Sequence, residues 1–132
     1  MTEFEAERHV LDAALAVHNK VGPGLSETLY EIVLSHELYR RGVSVERQKA
    51  ISIRYEGLIF DDAFRADLVV ESVLIVELKS VDVLTEAHSK RLLTQLKFSG
   101  MRLGLLINFG EAHLKDGVKR VFHGGLEEAV GF

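Results

Sequence analysis

The sequence contains no cysteine and only one proline, and no apolar run in it is long. Without cysteine the chain can form no disulfide framework, no thiol nucleophile and no Cys-ligated zinc site. No apolar run reaches the ~20 residues that a membrane-spanning helix needs. The N-terminus, MTEFEAERHV, is acidic and polar, unlike a signal peptide. We therefore expect a cytoplasmic protein that makes no contact with a membrane.

An excess of basic residues is also missing. The chain carries 16 Lys and Arg residues against 20 Asp and Glu residues, a formal net charge of −4. Proteins that coat nucleic acid without regard to sequence are usually basic, so this class is disfavoured. The balance still allows an enzyme that binds a polyanion locally and holds a metal ion in an acidic site.

The length and the composition favour a single domain over residues 1–132. An apolar fraction of 47% with 27% charged residues is an ordinary globular mixture. A chain of this size buries roughly two-thirds of its unfolded surface, which is enough for a core.

Capping signals and helical periodicity predict two N-terminal helices. Thr2 and Glu5 fit a capping box, so the first helix is predicted from about residue 3 to residue 20. The only proline, in VGPGLS, marks the break that follows. Ser26 is a candidate N-cap for a second helix, which is predicted to end at Arg41 before a glycine.

Strand-like patterns and one further helix follow. Strands are predicted over residues 43–55, 58–70, 73–81, 103–109 and 118–122, and a helix over residues 85–98. The order α-α-β-β-β-α-β-(β) predicts an α/β fold in which helices flank a mixed sheet.

Charged residues interrupt two strands that otherwise look buried. In VLIVELKS, Glu77 and Lys79 follow four apolar residues and point to one face, because residues two apart in a strand share a face. In FRADLVV, Asp67 points away from the predicted core face. That core face is predicted to carry Phe64, Ala66, Leu68 and Val70. If the two strands pair as a hairpin, Asp67 can lie beside Glu77.

Two neighbouring carboxylates repel each other unless a proton or a cation lies between them. Oxygen ligands of this kind suit Mg²⁺ or Mn²⁺. A lysine one step along the strand can position a nucleophilic water or stabilise the charge that develops on a phosphate. The alternative is that Glu77 and Lys79 form a solvated pair on an exposed strand face. The apolar strand before them and the aspartate one strand earlier favour the metal site.

A shared metal ion sets a condition on the hairpin. A two-residue turn at Glu71 and Ser72 would point Asp67 and Glu77 to opposite faces of the sheet. A three-residue loop, residues 71–73, would pair them directly. We therefore predict an odd-length loop or a β-bulge between residues 67 and 77.

The second helix supplies a third carboxylate. Glu27, Tyr30 and Leu34 form one stripe of that helix. The stripe is otherwise apolar, so Glu27 is expected to lean toward the sheet. Its alternative role is a favourable interaction of an N-terminal glutamate with the helix dipole.

These motifs resemble the GxxExxY family of the PD-(D/E)XK nuclease-like superfamily. GLSETLY, residues 24–30, matches the naming motif, and ADLVVESVLIVELK, residues 66–79, matches the superfamily pattern of an Asp followed by Glu-x-Lys. GLLINFG, residues 104–110, is similar to the late strand of the family. The similarity runs from about residue 5 to residue 122.

The resemblance implies a restriction-endonuclease-like αβββαβ core, here with an extra N-terminal helix. By position it implies that Asp67 and Glu77 ligate a metal ion, with the backbone carbonyl of Leu78 as a further ligand. It makes Lys79 the catalytic lysine and Glu27 the acid that completes or orients the metal site. The expected activity is a Mg²⁺- or Mn²⁺-dependent phosphodiesterase that cleaves nucleic acid, DNA in particular, by metal-activated water.

The helix after Glu-x-Lys departs from the family. The usual pattern there is Gln-x-x-x-Tyr, whereas RLLTQLKFSG has Arg91 and Gln95 at those places. His88, Arg91 and Gln95 form a polar stripe that could face the site and bind substrate, with a phosphate held by Arg91. Tyr30 is a further candidate for substrate contact. Equally, the change could mark a weakened or altered activity.

Two other functions stay open. One is a non-catalytic module that keeps the fold and binds nucleic acid or protein, which the acidic balance and the departure at Arg91 and Gln95 favour. The other is a metal phosphoesterase for small substrates, because no DNA-reading element is visible. Assembly into a homo-oligomer is compatible with each of these functions.

Overall fold

The computed structural model describes residues 1–127, which fold around a five-stranded sheet. The helices are α1, Glu3–Val21; α2, Glu27–Arg40; and α3, Glu86–Ser99. The strands are β1, Val45–Tyr55; β2, Leu58–Val70; β3, Leu74–Lys79; β4, Leu103–Asn108; and β5, Val118–Phe122. A short 3-10 helix, Leu114–Gly117, precedes β5. This order confirms the predicted α/β fold with an αβββαβ core and an additional N-terminal helix.

The first two helices begin where the sequence predicts, because side chains cap their free N–H groups. Thr2 Oγ1 accepts a hydrogen bond from the Glu5 N–H at 3.1 Å, and Glu5 Oε1 accepts one from the Thr2 N–H at 3.0 Å. Ser26 Oγ accepts from the Leu29 N–H at 3.3 Å. Such caps stabilise a helix by about 1 kcal/mol. The cap at Ser26 matters most for function, since it fixes the first turn of α2.

The strands lie in the order β1-β2-β3-β4-β5. Neighbours are antiparallel except β3 and β4, which are parallel and are joined by α3. One face of the sheet packs against α1 and α2, and the other packs against α3. The central strands β3 and β4 are buried on both faces, which explains their continuous apolar sequences.

The helices bury one side each. In α1 the buried apolar side chains are Ala6, Val10, Ala13, Ala14 and Val17. Their spacing follows the helical repeat and places them against the sheet and α2. None of the helices within residues 1–127 is long and apolar enough to cross a membrane.

The β2–β3 hairpin has the register that a shared site requires. Leu68 pairs with Val76 and Val70 pairs with Leu74, so three residues, 71–73, form the loop. Glu71 and Ser72 adopt positive φ angles of 52° and 57°, which lets this short loop close. The predicted odd-length loop is confirmed.

The predicted face assignment within β2 is wrong. The sequence predicts one shared face for Phe64, Ala66, Leu68 and Val70, but Leu68 packs on the α1 and α2 side while Ala66 packs on the α3 side. The alternation inverts at Asp67. Pairing with β1 is interrupted there, opposite Gln48, whose φ angle is 50°. Asp67 therefore lies at an irregular point of the strand, where its side chain is free of both packed clusters.

Candidate active site

Asp67 and Glu77 lie side by side where β2 and β3 separate. The last paired residues of the two strands are Leu68 and Val76. Just beyond them the Leu78 N–H donates a hydrogen bond to Asp67 Oδ2 at 2.9 Å, and Glu77 Oε1 lies 3.5 Å from the Asp67 nitrogen. The carboxylate of Asp67 thus takes the place of a main-chain acceptor, which holds it against β3.

The charged forms of both carboxyl groups are unfavourable at this position. Burial raises the pKa of Glu77 to about 7, and the neighbouring charge of Asp67 adds to the rise. Burial also raises the pKa of Asp67, and the hydrogen bond from Leu78 opposes that rise. The charge of Lys79 lowers both pKa values but does not cancel the shifts. Paired carboxyl groups with this electrostatic cost fit a cation or a shared proton between them.

Gln95 of α3 approaches Glu77 from the face of the sheet that packs against α3. Its side chain is fully buried, and its amide opposes the rise in the pKa of Glu77. Neither Nε2 nor Oε1 of Gln95 completes a hydrogen bond of ordinary geometry. Leaving a buried polar group unsatisfied costs about 1–3 kcal/mol. The surroundings of Glu77 therefore keep hydrogen-bonding capacity for a ligand.

A cavity of about 190 Å³ lies beside Asp67. Its lining comes from α2, β1, β2 and β3 and comprises Glu27, Thr28, Glu31, Gln48, Asp67 and Lys79. The first turn of α2 brings Glu27 into this lining, as the sequence predicts. Lys79 makes no ion pair within residues 1–127, so its ammonium group can meet an anionic group in the cavity.

Glu31 and Gln48 also line the cavity, although the sequence did not predict them as site residues. Gln48 Nε2 donates to Glu31 Oε1 at 2.7 Å and to Asp67 Oδ1 at 3.4 Å, and Arg47 Nη2 donates to Glu31 Oε2 at 3.2 Å. The position of Glu31, four residues after Glu27 on one helix face, was a usable signal. Gln48 has a left-handed backbone, and its side chain contacts Glu31 of α2. The sequence contains no pattern that predicts this conformation.

Tyr30 does not face a substrate, and that prediction is corrected. Its side chain is fully buried, and its ring stacks on Phe109 with the centroids 4.3 Å apart. Its hydroxyl accepts hydrogen bonds from the N–H groups of Gly24 and Leu25, at 2.9 and 3.1 Å, and donates one to the carbonyl of Gly22. Tyr30 therefore holds the loop before α2 and so positions the first turn of that helix.

The polar stripe of α3 is divided among three different contacts. His88 Nδ1 accepts from the Thr85 N–H at 3.1 Å, a contact at the start of α3. Arg91 is exposed, and its Cζ lies 5.4 Å from the centroid of the Phe64 ring, a cation–π contact. Only Gln95 reaches the carboxylates. These contacts do not test the substrate role predicted for His88 and Arg91, which stays a prediction, and Arg91 is exposed.

The donor atoms fit a hard divalent cation only in part. Within residues 1–127, no three Asp, Glu or His side chains are arranged to ligate one metal ion, so Glu27, Asp67 and Glu77 do not form one three-carboxylate site. The Lys79 carbonyl accepts from the Phe109 N–H at 2.9 Å on the β4 side. The preceding peptide group, of Leu78, must then point the other way, toward Asp67. Two carboxylates and this carbonyl are oxygen donors of the kind that Mg²⁺ and Mn²⁺ prefer.

Comparison with known proteins agrees with this arrangement. The sequence profile of the PD-(D/E)XK nuclease superfamily matches residues 5–121, a range that contains both carboxylates, Lys79 and the whole of α2. Nucleases of this superfamily generally use divalent metal ions. Comparison with curated proteins finds no match. Because the superfamily match covers most of the chain and the paired acids and the lysine occupy one site, the chain belongs to the PD-(D/E)XK nuclease superfamily.

Proposed function

We propose that the protein is a metal-dependent nuclease that hydrolyses phosphodiester bonds of nucleic acid, DNA in particular. One observation carries this proposal: Asp67 and Glu77 are held together where β2 and β3 separate. Lys79, which makes no ion pair within residues 1–127, lies two residues after Glu77 on β3. Membership of a nuclease superfamily supports it. The GLSETLY segment, residues 24–30, supports placement in the GxxExxY family.

Asp67 and Glu77 would hold the metal ion through their carboxylate oxygens, with the Leu78 carbonyl as a further ligand. Glu27, in the lining of the same cavity as Asp67, would complete or orient the site. When bound, Mg²⁺ or Mn²⁺ supplies positive charge beside the phosphate and lowers the pKa of water. Gln48 would keep Asp67 oriented, because its amide donates to both Glu31 and Asp67.

Lys79 is suited to act on the substrate itself. Lys79 lines the cavity, and no carboxylate within residues 1–127 forms an ion pair with it. A cation at this point stabilises negative charge that develops on the phosphate oxygens. Its N–H groups can also orient the attacking water by hydrogen bonding. Both roles need a lysine side chain that no neighbouring carboxylate pairs with, and Lys79 meets this condition within residues 1–127.

Cleavage assays on pure protein test the proposal. The substrates are single- and double-stranded DNA and RNA, each with Mg²⁺, with Mn²⁺ and with a chelator. We expect metal-dependent cleavage that falls roughly 100-fold or more in Asp67→Ala and in Lys79→Ala. Lys97→Ala, at an exposed lysine of α3, is the matched control and should retain activity. Cleavage that survives both site substitutions would come from a contaminant and would refute the proposal.

A non-catalytic binding module is the second candidate. It is favoured by Gln95 in place of the family tyrosine and by the lack, within residues 1–127, of three carboxylates arranged around one metal ion. Calorimetry with Mn²⁺ near neutral pH separates the two candidates. Absence of metal binding, with nucleic acid still bound, would support the module and contradict the nuclease.

A further inference from the structure

The end of the β1–β2 hairpin carries an exposed apolar patch. The pairs Tyr55–Leu58 and Ile53–Phe60 place four side chains on one face. Tyr55, Leu58 and Phe60 are 63%, 57% and 52% exposed, and Ile59 on the other face is 56% exposed. Since β3 pairs only with the last three residues of β2, this end projects as a two-stranded ribbon. We call residues 53–62 the ribbon tip.

The ribbon tip is acidic as well as apolar. Glu56, Asp61 and Asp62 stand against one cation, Arg54, which gives residues 54–62 a net charge of −2. The carboxylate of Asp62 is paired with Arg65 at 2.9 Å, but Asp61 and Glu56 make no ion pair within residues 1–127. A polyanion such as nucleic acid is repelled by this surface. The tip instead matches a protein surface with an apolar floor and a basic rim.

The other edge of the sheet carries a groove with these complementary properties. The groove has a volume of about 530 Å³ and lies between α1 and β5. Its apolar floor consists of Leu11, Leu15, Leu114 and Val118. All of its charged lining residues are basic: Lys115, Lys119 and Arg120. Arg120 is paired with Glu7, whereas the two lysines make no ion pair within the part of the chain that the structure describes.

We propose that the ribbon tip of one copy docks into the groove of a second copy. The apolar tip side chains would be buried on the leucine floor, while Asp61 and Glu56 would face Lys115 and Lys119. The acidic tip is complementary to the basic rim of the groove, and the apolar side chains of the tip are complementary to its apolar floor. The tip projects from the sheet, whereas the groove is recessed. Neither surface includes Asp67, Glu77 or Lys79, so the assembly does not depend on the proposed nuclease activity.

The topology explains why the occupant is a second copy. The tip belongs to β1 and β2, and the groove adjoins β5 at the opposite edge of the sheet. Four strand spacings separate the two edges, about 19 Å at about 4.8 Å each. The tip extends along the direction of β1 and β2, so it cannot fill a groove at the opposite edge of its own sheet. The contact is therefore heterologous, and repeating it builds a closed ring or a filament.

Sedimentation and light scattering over a wide concentration range test the assembly. Wild-type protein should show a mass that rises above that of the monomer with concentration. Phe60→Lys in the tip and Leu15→Lys in the groove should each give monomers, because both put a cation against the basic groove or inside it. Val83 is 68% exposed and lies outside both the ribbon tip and the groove. Val83→Lys is therefore the control and should assemble like wild type.

Mixing the two monomeric variants is the decisive step. Phe60→Lys keeps an intact groove and Leu15→Lys keeps an intact tip, so an equimolar mixture should form a one-to-one dimer and nothing larger. A wild type that stays monomeric, or a mixture that stays monomeric, overturns the proposal. Thermal melting confirms that each variant is folded. A second pair guards against misfolding: Asp61→Lys and Lys119→Glu should each weaken assembly, and the doubly substituted chain should regain it.

Discussion

The Leu78 N–H donates a hydrogen bond to Asp67 Oδ2 at 2.9 Å, across the point where β2 and β3 separate. This bond joins the two halves of the motif, because it fixes the first acid beside Glu77 and sets the direction of the Leu78 peptide. The ladder between the strands stops one residue earlier, at Leu68 and Val76. The site forms because the Asp67 carboxylate, and not a main-chain carbonyl of β2, accepts the hydrogen bond from the Leu78 N–H.

Mn²⁺ is expected to raise the melting temperature of the protein. Bringing Asp67 and Glu77 together without a cation costs repulsion, and an ion that binds only the folded state stabilises it by mass action. At a concentration about 100 times Kd the gain is about 2.7 kcal/mol. Asp67→Asn should abolish the shift, whereas Glu46→Gln, at an exposed carboxylate of β1, should keep it. An unchanged midpoint in the wild type would contradict a metal site.

The metal-free protein is expected to lose stability as the pH rises from about 4.5 to about 7. Burial raises the pKa of Glu77 from 4.5 to about 7, so in this window the folded state holds a proton that the unfolded state has released. The contribution of Glu77 to the free energy of unfolding is therefore fully present below pH 4.5 and is lost as the pH rises through about 7. The loss is on the order of 3 kcal/mol.

Urea unfolding in a chelator, at several pH values, measures this dependence. Glu77→Gln should flatten the curve, because a glutamine has no proton to release. Stability that increases across the window, or a Glu77→Gln variant with the same slope as the wild type, would show that Glu77 does not titrate in this way.

Gln48 is expected to affect the metal site and the backbone separately. Gln48→Ala and Gln48→Gly both remove the amide that donates to Glu31 and Asp67, so each should weaken Mn²⁺ binding about 10- to 100-fold. The glycine variant should be more stable than the alanine variant by about 1 kcal/mol, because the φ angle of 50° favours glycine. Calorimetry and urea unfolding measure the two effects. Equal metal affinity in wild type and Gln48→Ala would show that Gln48 does not support metal binding.

Tyr30→Phe is expected to destabilise the protein by about 1–3 kcal/mol. The substitution keeps the ring on Phe109 but leaves two N–H groups and one carbonyl of the loop before α2 without the hydroxyl. Tyr39→Phe, at a tyrosine that is 80% exposed, should change the free energy of unfolding little. Urea unfolding compares the two. Equal effects would contradict the loop-holding role of Tyr30.

Local features of the sequence were enough to predict the elements of secondary structure. The capping box of Thr2 and Glu5 and the N-cap Ser26 act within one helical turn, so they are readable without knowledge of the rest of the fold. The bounds of β2 and β5 were predicted correctly for a similar reason, since turn residues and apolar alternation are local. The odd-length loop followed from the parity of the strand once Asp67 and Glu77 were assumed to share a metal ion, because one residue more or less reverses every side chain.

The sequence by itself determined the order of the elements and identified Asp67, Glu77 and Lys79, because their spacing on two strands is a property of the chain. Only the tertiary structure decided which other side chains meet them. Gln48 lies in the site and has a left-handed backbone. The hydroxyl of Tyr30 accepts a hydrogen bond from the loop before α2, and Arg91 lies over the ring of Phe64. The physical reason is that a polar side chain goes to whichever partner its neighbours leave unsatisfied, and those neighbours come from distant parts of the sequence.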